Sequence, residues 1–518
     1  MSDPAGLVLT NARISSDPRI EPEAVALHHG RIVWCGAVAD APAQADMVDL
    51  GGRWLLPGLT DSHTHMLAAA QQKLQPTIAD DTADVPRFLD QLAVAEAELT
   101  GGEWLVASCE LDPSDLTEGR FPTRAELDRF APTRPAVVRC LGGHVGLANS
   151  AALDAAAGAL ANVPPVELAA GRLTEQSADT LFQACPPPNP DRLGEALIAE
   201  ADEYVRLGVT SAVEAAVGFT SGFDQEWAVW EQLRTGATPF PIRLGFMLRI
   251  DPAEALTRDL TPGPIDPDWQ IRTLKFFADG IVGARTAAFN HDYLDCPGHT
   301  GDLVYDDDRL AQLFSEAHAA GWQIAVHAIG DRAIDSVISA YSTCTDPTRR
   351  HRIEHLALPS PTHLRAVSEL GIHVATQHGF LPIMGDMFES ALGSSRAHRM
   401  FPTRSLDTCG IPLAGSSDYP IGPQSPHAGL AGATLRTTRS GTLMGADEVI
   451  DAARAIDTYI RGGAEIMHQE AIRGSIRPGY LADLAVFDEH PALVDPERVS
   501  GVAASATLVR GELVHSRL

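Results

Sequence analysis

The chain has 518 residues, 45% hydrophobic and 21% charged, enough for a large core and two domains. A formal charge of -29 excludes nucleic acid and anionic membranes as partners, because both require a positive surface. No apolar run is long enough to span a bilayer, and no positively charged start precedes an apolar stretch, so neither a membrane span nor a secretory leader is expected.

The seven cysteines are odd in number and scattered. They give neither a disulfide framework nor a Cys-x-x-Cys knuckle, so a reducing cytoplasm is the expected location.

Residues 1–56 read as short strands with tight turns. The apolar run 24–27 ends at His28-His29-Gly30, where Gly30 suits a hairpin, and the run 31–34 resumes after it. The stretches 479–487 and 506–514 have the same character. Residues 1–56 and 470–518 are therefore expected to form one small β-sandwich domain from the two termini.

Between them, Pro57-Gly58-Leu59-Thr60-Asp61-Ser62-His63-Thr64-His65 marks a strand end. His63 and His65 stand two apart, so on an extended strand they project to one side and make half of a metal site. Seven further strand-like segments follow, at 207–214, 241–247, 271–277, 322–327, 351–355, 373–377 and 411–418, with helix-forming stretches such as 308–320 between them. Eight strands at roughly 30 residues per unit predict a (β/α)8 TIM barrel over 57–469, with its chemistry at the C-terminal strand ends. The gap after the first strand is too long for one unit, so an α/β insertion is expected at about 75–195, over the barrel mouth.

Six residues then fall at strand ends: His63, His65, Lys275, His327, His355 and Asp418. Imidazoles and a carboxylate are donors for zinc, as one or two divalent ions. Lysine is scarce, with only Lys73 and Lys275 among 39 basic residues. Lys73, in a polar stretch, is read as a chance survivor, whereas Lys275 is read as a place where guanidinium cannot replace an amine, and a carboxylated Lys275 would be an anionic ligand. Structural alternatives stand beside this reading. Lys275 could pair with Asp279, His327 or His355 could be hydrogen-bonded core histidines, and Asp418 could cap the segment after it.

These motifs together resemble the metal-dependent amidohydrolase superfamily. The resemblance is to its YtcJ-like branch, which includes N-substituted formamide deformylases. It is carried by the Pro57–His65 stretch, Leu274-Lys275-Phe276-Phe277-Ala278-Asp279-Gly280 with Arg285-Thr286-Ala287, His327-Ala328-Ile329-Gly330-Asp331-Arg332-Ala333, Arg352-Ile353-Glu354-His355, Gly415-Ser416-Ser417-Asp418 and Gly479-Tyr480-Leu481-Ala482-Asp483-Leu484. It implies that the six residues above are the metal set, that Lys275 is carboxylated, and that the protein is a homodimer. The implied reaction is cleavage of a C–N bond, in an amide or N-substituted formamide, by metal-activated water. Asp418 is then the catalytic base that turns acid.

Two departures bear on substrate choice. Leu141-Gly142-Gly143-His144 stands where the branch has Asp-Gly-His, and Glu214 stands where a smaller acid is common. His144 and Arg285 are the candidates for contacts to a small-molecule substrate. The competing functions are a lactone or cyclic amide hydrolase, an isomerase or decarboxylase on the same site, and a metal-free scaffold.

Overall fold

In the computed structural model, residues 6–14, 23–42, 45–79 and 81–518 are described. The parts of the expected terminal strands and insertion at 1–5, 15–22, 43–44 and 80 lie outside the described residues.

Eight parallel strands follow one another in spatial order: β1 Leu59–Thr64, β2 Val209–Val217, β3 Arg243–Leu248, β4 Trp269–Phe277, β5 Gln323–Ala328, β6 Arg352–His355, β7 His373–Thr376 and β8 Leu413–Gly415. Helices such as Phe223–Arg234, Asp307–Ala319, Asp331–Tyr341 and Pro361–Glu369 alternate with them, so this is the TIM barrel that the spacing predicts. Small and slender side chains fill its centre: Val213, Ala215, Ala325, Ala375 and Ala414, with Met247, Ile466 and Met467, form one buried cluster. At the entry to β1, a Cβ on Gly58 would lie 2.1 Å from Thr210 Oγ1. Only glycine lets the chain pass that close to β2.

Among the described residues no ladder pairs β8 with β1. The ring is joined just past their ends, where Asp418 N donates to His63 O and His65 N to Tyr419 O, each at 2.8 Å. Asp61 reinforces the join. Its carboxylate accepts from the backbone N and the hydroxyl of Ser417 and from the Tyr204 hydroxyl, and burial pushes it up to about 6.

Between β1 and β2 the chain builds a mixed four-stranded sheet, ordered Arg172–Thr174, Val145–Ala148, Ala136–Cys140, Leu105–Cys109. It carries helices and has apolar clusters of its own.

Both ends of the chain supply a further pair of four-stranded sheets. One comes from Leu7–Ala12, Glu23–His28, Arg31–Ala37 and Asp46–Asp49; the other from Trp54–Pro57, Leu484–Phe487, Ala506–Val509 and Glu512–Ser516. Leu9, Val25, Leu27 and Ile32 of the first share a core with Leu55, Leu484, Val486 and Leu508 of the second. The hairpin turns at His29 and Gly30, with φ of 47° and 72°, the left-handed pair that a two-residue turn needs. The buried Arg243–Asp483 ion pair, at 2.6 Å, ties these sheets to β3.

Candidate metal centre

All six strand-end residues line one cavity of about 910 Å³ at the C-terminal barrel mouth, and His144 of the insertion shares its wall. Period two carries His63 and His65 to the same side of β1, with ring centroids 5.3 Å apart. His63 Nδ1 is hydrogen-bonded to the Glu354 carboxylate, both side chains wholly buried. A carboxylate can only accept, so Nδ1 carries the proton and Nε2 presents its lone pair to the cavity. Arg352 holds Glu354 in turn at 2.8 Å. Burial alone would raise the Glu354 carboxyl, but Arg352 and His63 hold it far below its ordinary range.

His355 is oriented in the same way by Gln377, Nδ1 to Oε1 at 2.7 Å, and its ring lies 5.2 Å from that of His63. Asp418 Oδ1 lies 3.2 Å from both His63 Nε2 and His65 Nε2. One ligand atom each from His63, His355 and Asp418 falls within 4.8 Å of the others. Burial also draws His355 down to about 3 and lowers His65, so these rings are neutral donors at physiological pH.

The decisive feature is a pair of acceptors that face each other. His63 Nε2 and Asp418 Oδ1, 3.2 Å apart, are both buried and neither makes a hydrogen bond to a described residue. Two lone pairs in that position repel unless a cation lies between them. The donor set therefore fits a divalent metal.

Lys275 on β4 is 2% exposed, and its Nζ likewise makes no hydrogen bond to a described residue. Burial pulls the amine down to about 8. The alternative pairing with Asp279 is not formed. That carboxylate accepts backbone N–H groups from Ala288, Ile329 and Gly330 at 2.8–3.0 Å and clips the loops after β4 and β5 together. His327 meets the His355 ring edge to face, with centroids 4.6 Å apart, but its Nε2 is bonded to Gly280 O at 3.0 Å. Only its Nδ1 is left for a ligand, and it stands outside the closest trio.

His355 and Asp418 have φ of 71° and 55°. Left-handed backbone is costly for such residues and concentrates at functional sites.

Arg285 is not brought to the cavity wall. Its guanidinium binds Asp295 at 2.6 Å and the carbonyls of Val282 and Gly283, so it braces its own loop. Glu214 is buried and accepts the Leu67 N–H at 3.2 Å, in the first turn of helix Met66–Lys73 and away from the cavity wall.

A second donor trio, His318, Cys344 and His351, lies at the opposite end of the barrel. There His351 Nδ1 accepts the Ile324 N–H, so its Nε2 bears the proton shared with His318 at 2.8 Å. That trio is satisfied by hydrogen bonds.

A model of the amidohydrolase family matches residues 46–515. The chain belongs to the amidohydrolase family. This amidohydrolase is 27% identical over 491 residues to the putative amidohydrolase YtcJ of Bacillus subtilis, covering 92% of this chain and 91% of that one. It is 27% identical to the N-substituted formamide deformylase of Arthrobacter pascens, over 100% and 99% of the two chains. Both lie in the branch that its motifs resemble. A metal-dependent hydrolase from Pyrococcus horikoshii has the same fold, with a TM-score of 0.76 at 22% identity over 95% of this chain and 99% of that one. The chain is an enzyme, a hydrolase. No helix among its described residues is long and apolar enough to cross a membrane.

Glu354 and Gln377 escape sequence reading because their roles appear only across strands. Glu354→Gln is expected to weaken zinc affinity about 10–100-fold, the usual cost of losing the carboxylate behind a ligating histidine. Competition with a chelating dye measures this, and unchanged affinity would remove Glu354 from the role.

Proposed function

We propose that the protein hydrolyses the C–N bond of amides or N-substituted formamides at zinc held by His63, His65, His327, His355, Asp418 and a carboxylated Lys275. The observation that carries this reading is the unshielded approach of His63 Nε2 to Asp418 Oδ1. When bound, the metal supplies Lewis acidity and an acidified water. Glu354 and Gln377 fix the tautomers of His63 and His355. Asp418 takes a proton from the attacking water and returns it to the leaving nitrogen.

Lys275 fits carboxylation because its amine is dry, unpaired and easily freed of its proton. Its Nζ bonds to the carbon of CO₂ and releases a proton, leaving an anion. The cavity has room for a large substituent beside the reacting group, along Phe380, Met384, Met387 and Phe401. Seven free thiols agree with a cytoplasmic enzyme, and we read the family's homodimer into this chain as well.

The test is turnover of formamides, N-acyl amines, cyclic amides and lactones, by the protein as purified, after chelation, and after return of zinc. Hydrolysis of an open-chain amide or formamide that chelation abolishes and zinc restores is expected. Activity confined to lactones, or indifferent to chelation, would overturn the proposal.

A further inference from the structure

His144 lines the cavity from the insertion, with its ring 5.8 Å from that of His327. Its Nδ1 lies 2.8 Å from Glu175 Oε2. Because the carboxylate only accepts, the Nδ1 proton is committed to it, and Nε2 of the neutral ring keeps a lone pair. No hydrogen bond to a described residue engages that Nε2.

Glu175 is itself held from the barrel side. Its Oε1 accepts from the Thr286 hydroxyl at 2.6 Å, and Thr286 Oγ1 accepts the Ile281 N–H at 3.0 Å. A Cβ on Gly280 would lie 2.3 Å from Glu175 Oε1 and 2.1 Å from Thr286 Oγ1, so the carboxylate is pressed against the backbone after β4. The carbonyl of that same Gly280 takes the His327 ring. One glycine thus sets the place of both imidazoles. Glu175 also adopts a left-handed backbone, φ 48°, and its N–H closes on His144 O at 3.1 Å. His144 thus has an acidic partner although position 142, two residues before it, is glycine. At Gly142 itself a Cβ would meet Ile421 at 2.6 Å, so no side chain fits there without a shift.

An amide offers two hydrogen-bonding edges, a carbonyl oxygen and an N–H. The oxygen suits the metal cradle, and the N–H requires an acceptor, which an ester or lactone does not. We propose that His144, positioned by Glu175, accepts the N–H of the scissile group, so that the enzyme selects secondary amides and N-monosubstituted formamides over N,N-disubstituted amides and lactones. This inference rests on the C–N hydrolysis proposed above.

The test compares a secondary amide, its N-methyl analogue and its ester at pH 9 in the zinc-loaded wild type and in His144→Phe, which keeps the bulk and removes the acceptor. The wild type should prefer the N–H compound over the N-methyl one by about 100-fold or more in kcat/KM, since a site built to bond a polar group rejects analogues that lack it. His144→Phe should lose about that factor on the secondary amide alone, leaving the N-methyl and ester compounds within about 3-fold. Glu175→Gln should lose part of the same preference.

A preference that survives His144→Phe, or equal losses on all three compounds, would overturn the inference. Nitrogen-15 spectra of the wild type at pH 9, assigned by difference from His144→Phe, give a readout independent of activity. A bare Nε2 is expected, and a protonated one overturns the inference. If the wild type hydrolyses none of the three, the C–N reading itself falls, and the spectra still decide the state of the pair.

Discussion

In Asp418→Asn, kcat is expected to fall by about 10²–10⁴-fold, the usual contribution of a positioned general acid–base group, while zinc is still bound. Asparagine keeps the shape of the side chain and one oxygen able to face a cation. It loses the charge and the capacity to take a proton from water. His63 and His355 keep their orienting bonds to Glu354 and Gln377, so the rest of the cradle survives the change. Turnover on the best substrate of the panel, with metal content by mass spectrometry, measures both halves. Wild-type turnover would remove Asp418 from proton transfer, and complete loss of metal would make it a ligand before anything else.

Lys275→Arg is expected to lower activity to below about 1% and to leave the protein short of metal. Guanidinium stays protonated at any working pH and cannot add CO₂. It would put a fixed positive charge in the place an anionic ligand should occupy, where the Lys275 side chain is buried and its Nζ has no hydrogen-bond partner among the described residues. The wild type should also reload in a pH-dependent way. Burial lowers the amine to about 8, so it is about 90% neutral at pH 9 and about 1% neutral at pH 6. Apoprotein given zinc at a fixed concentration of dissolved CO₂ should regain activity faster at pH 9 than at pH 6, and a carbon-13 carbamate signal should rise with it. Lys275→Arg with full metal and wild-type turnover would end the carboxylation reading.

Much of the barrel was legible because its signals are local. The period-two placement of His63 and His65, the unit spacing of the later strands and the scarcity of lysine each need only a short stretch of chain. The supporting contacts were not legible, because they join residues far apart. Glu175 reaches His144 across the insertion and Thr286 from the barrel, and nothing near Glu175 in the sequence announces either. On β6, period two would send Glu354 and His355 to opposite faces. The left-handed φ of 71° at His355 turns the ring back, so that both approach His63. Arg285 looked available because an arginine beside a motif is a natural substrate contact, but its loop consumes its donors locally.

The ring of strands is fastened between first and last by two backbone bonds that involve His63, His65, Asp418 and Tyr419. Three of those four residues also offer side chains to the cradle. A cation gripped there would act as the clasp of the necklace as well as its jewel: loading the enzyme and completing its circle would be one event, and an empty chain would be loosest where it works.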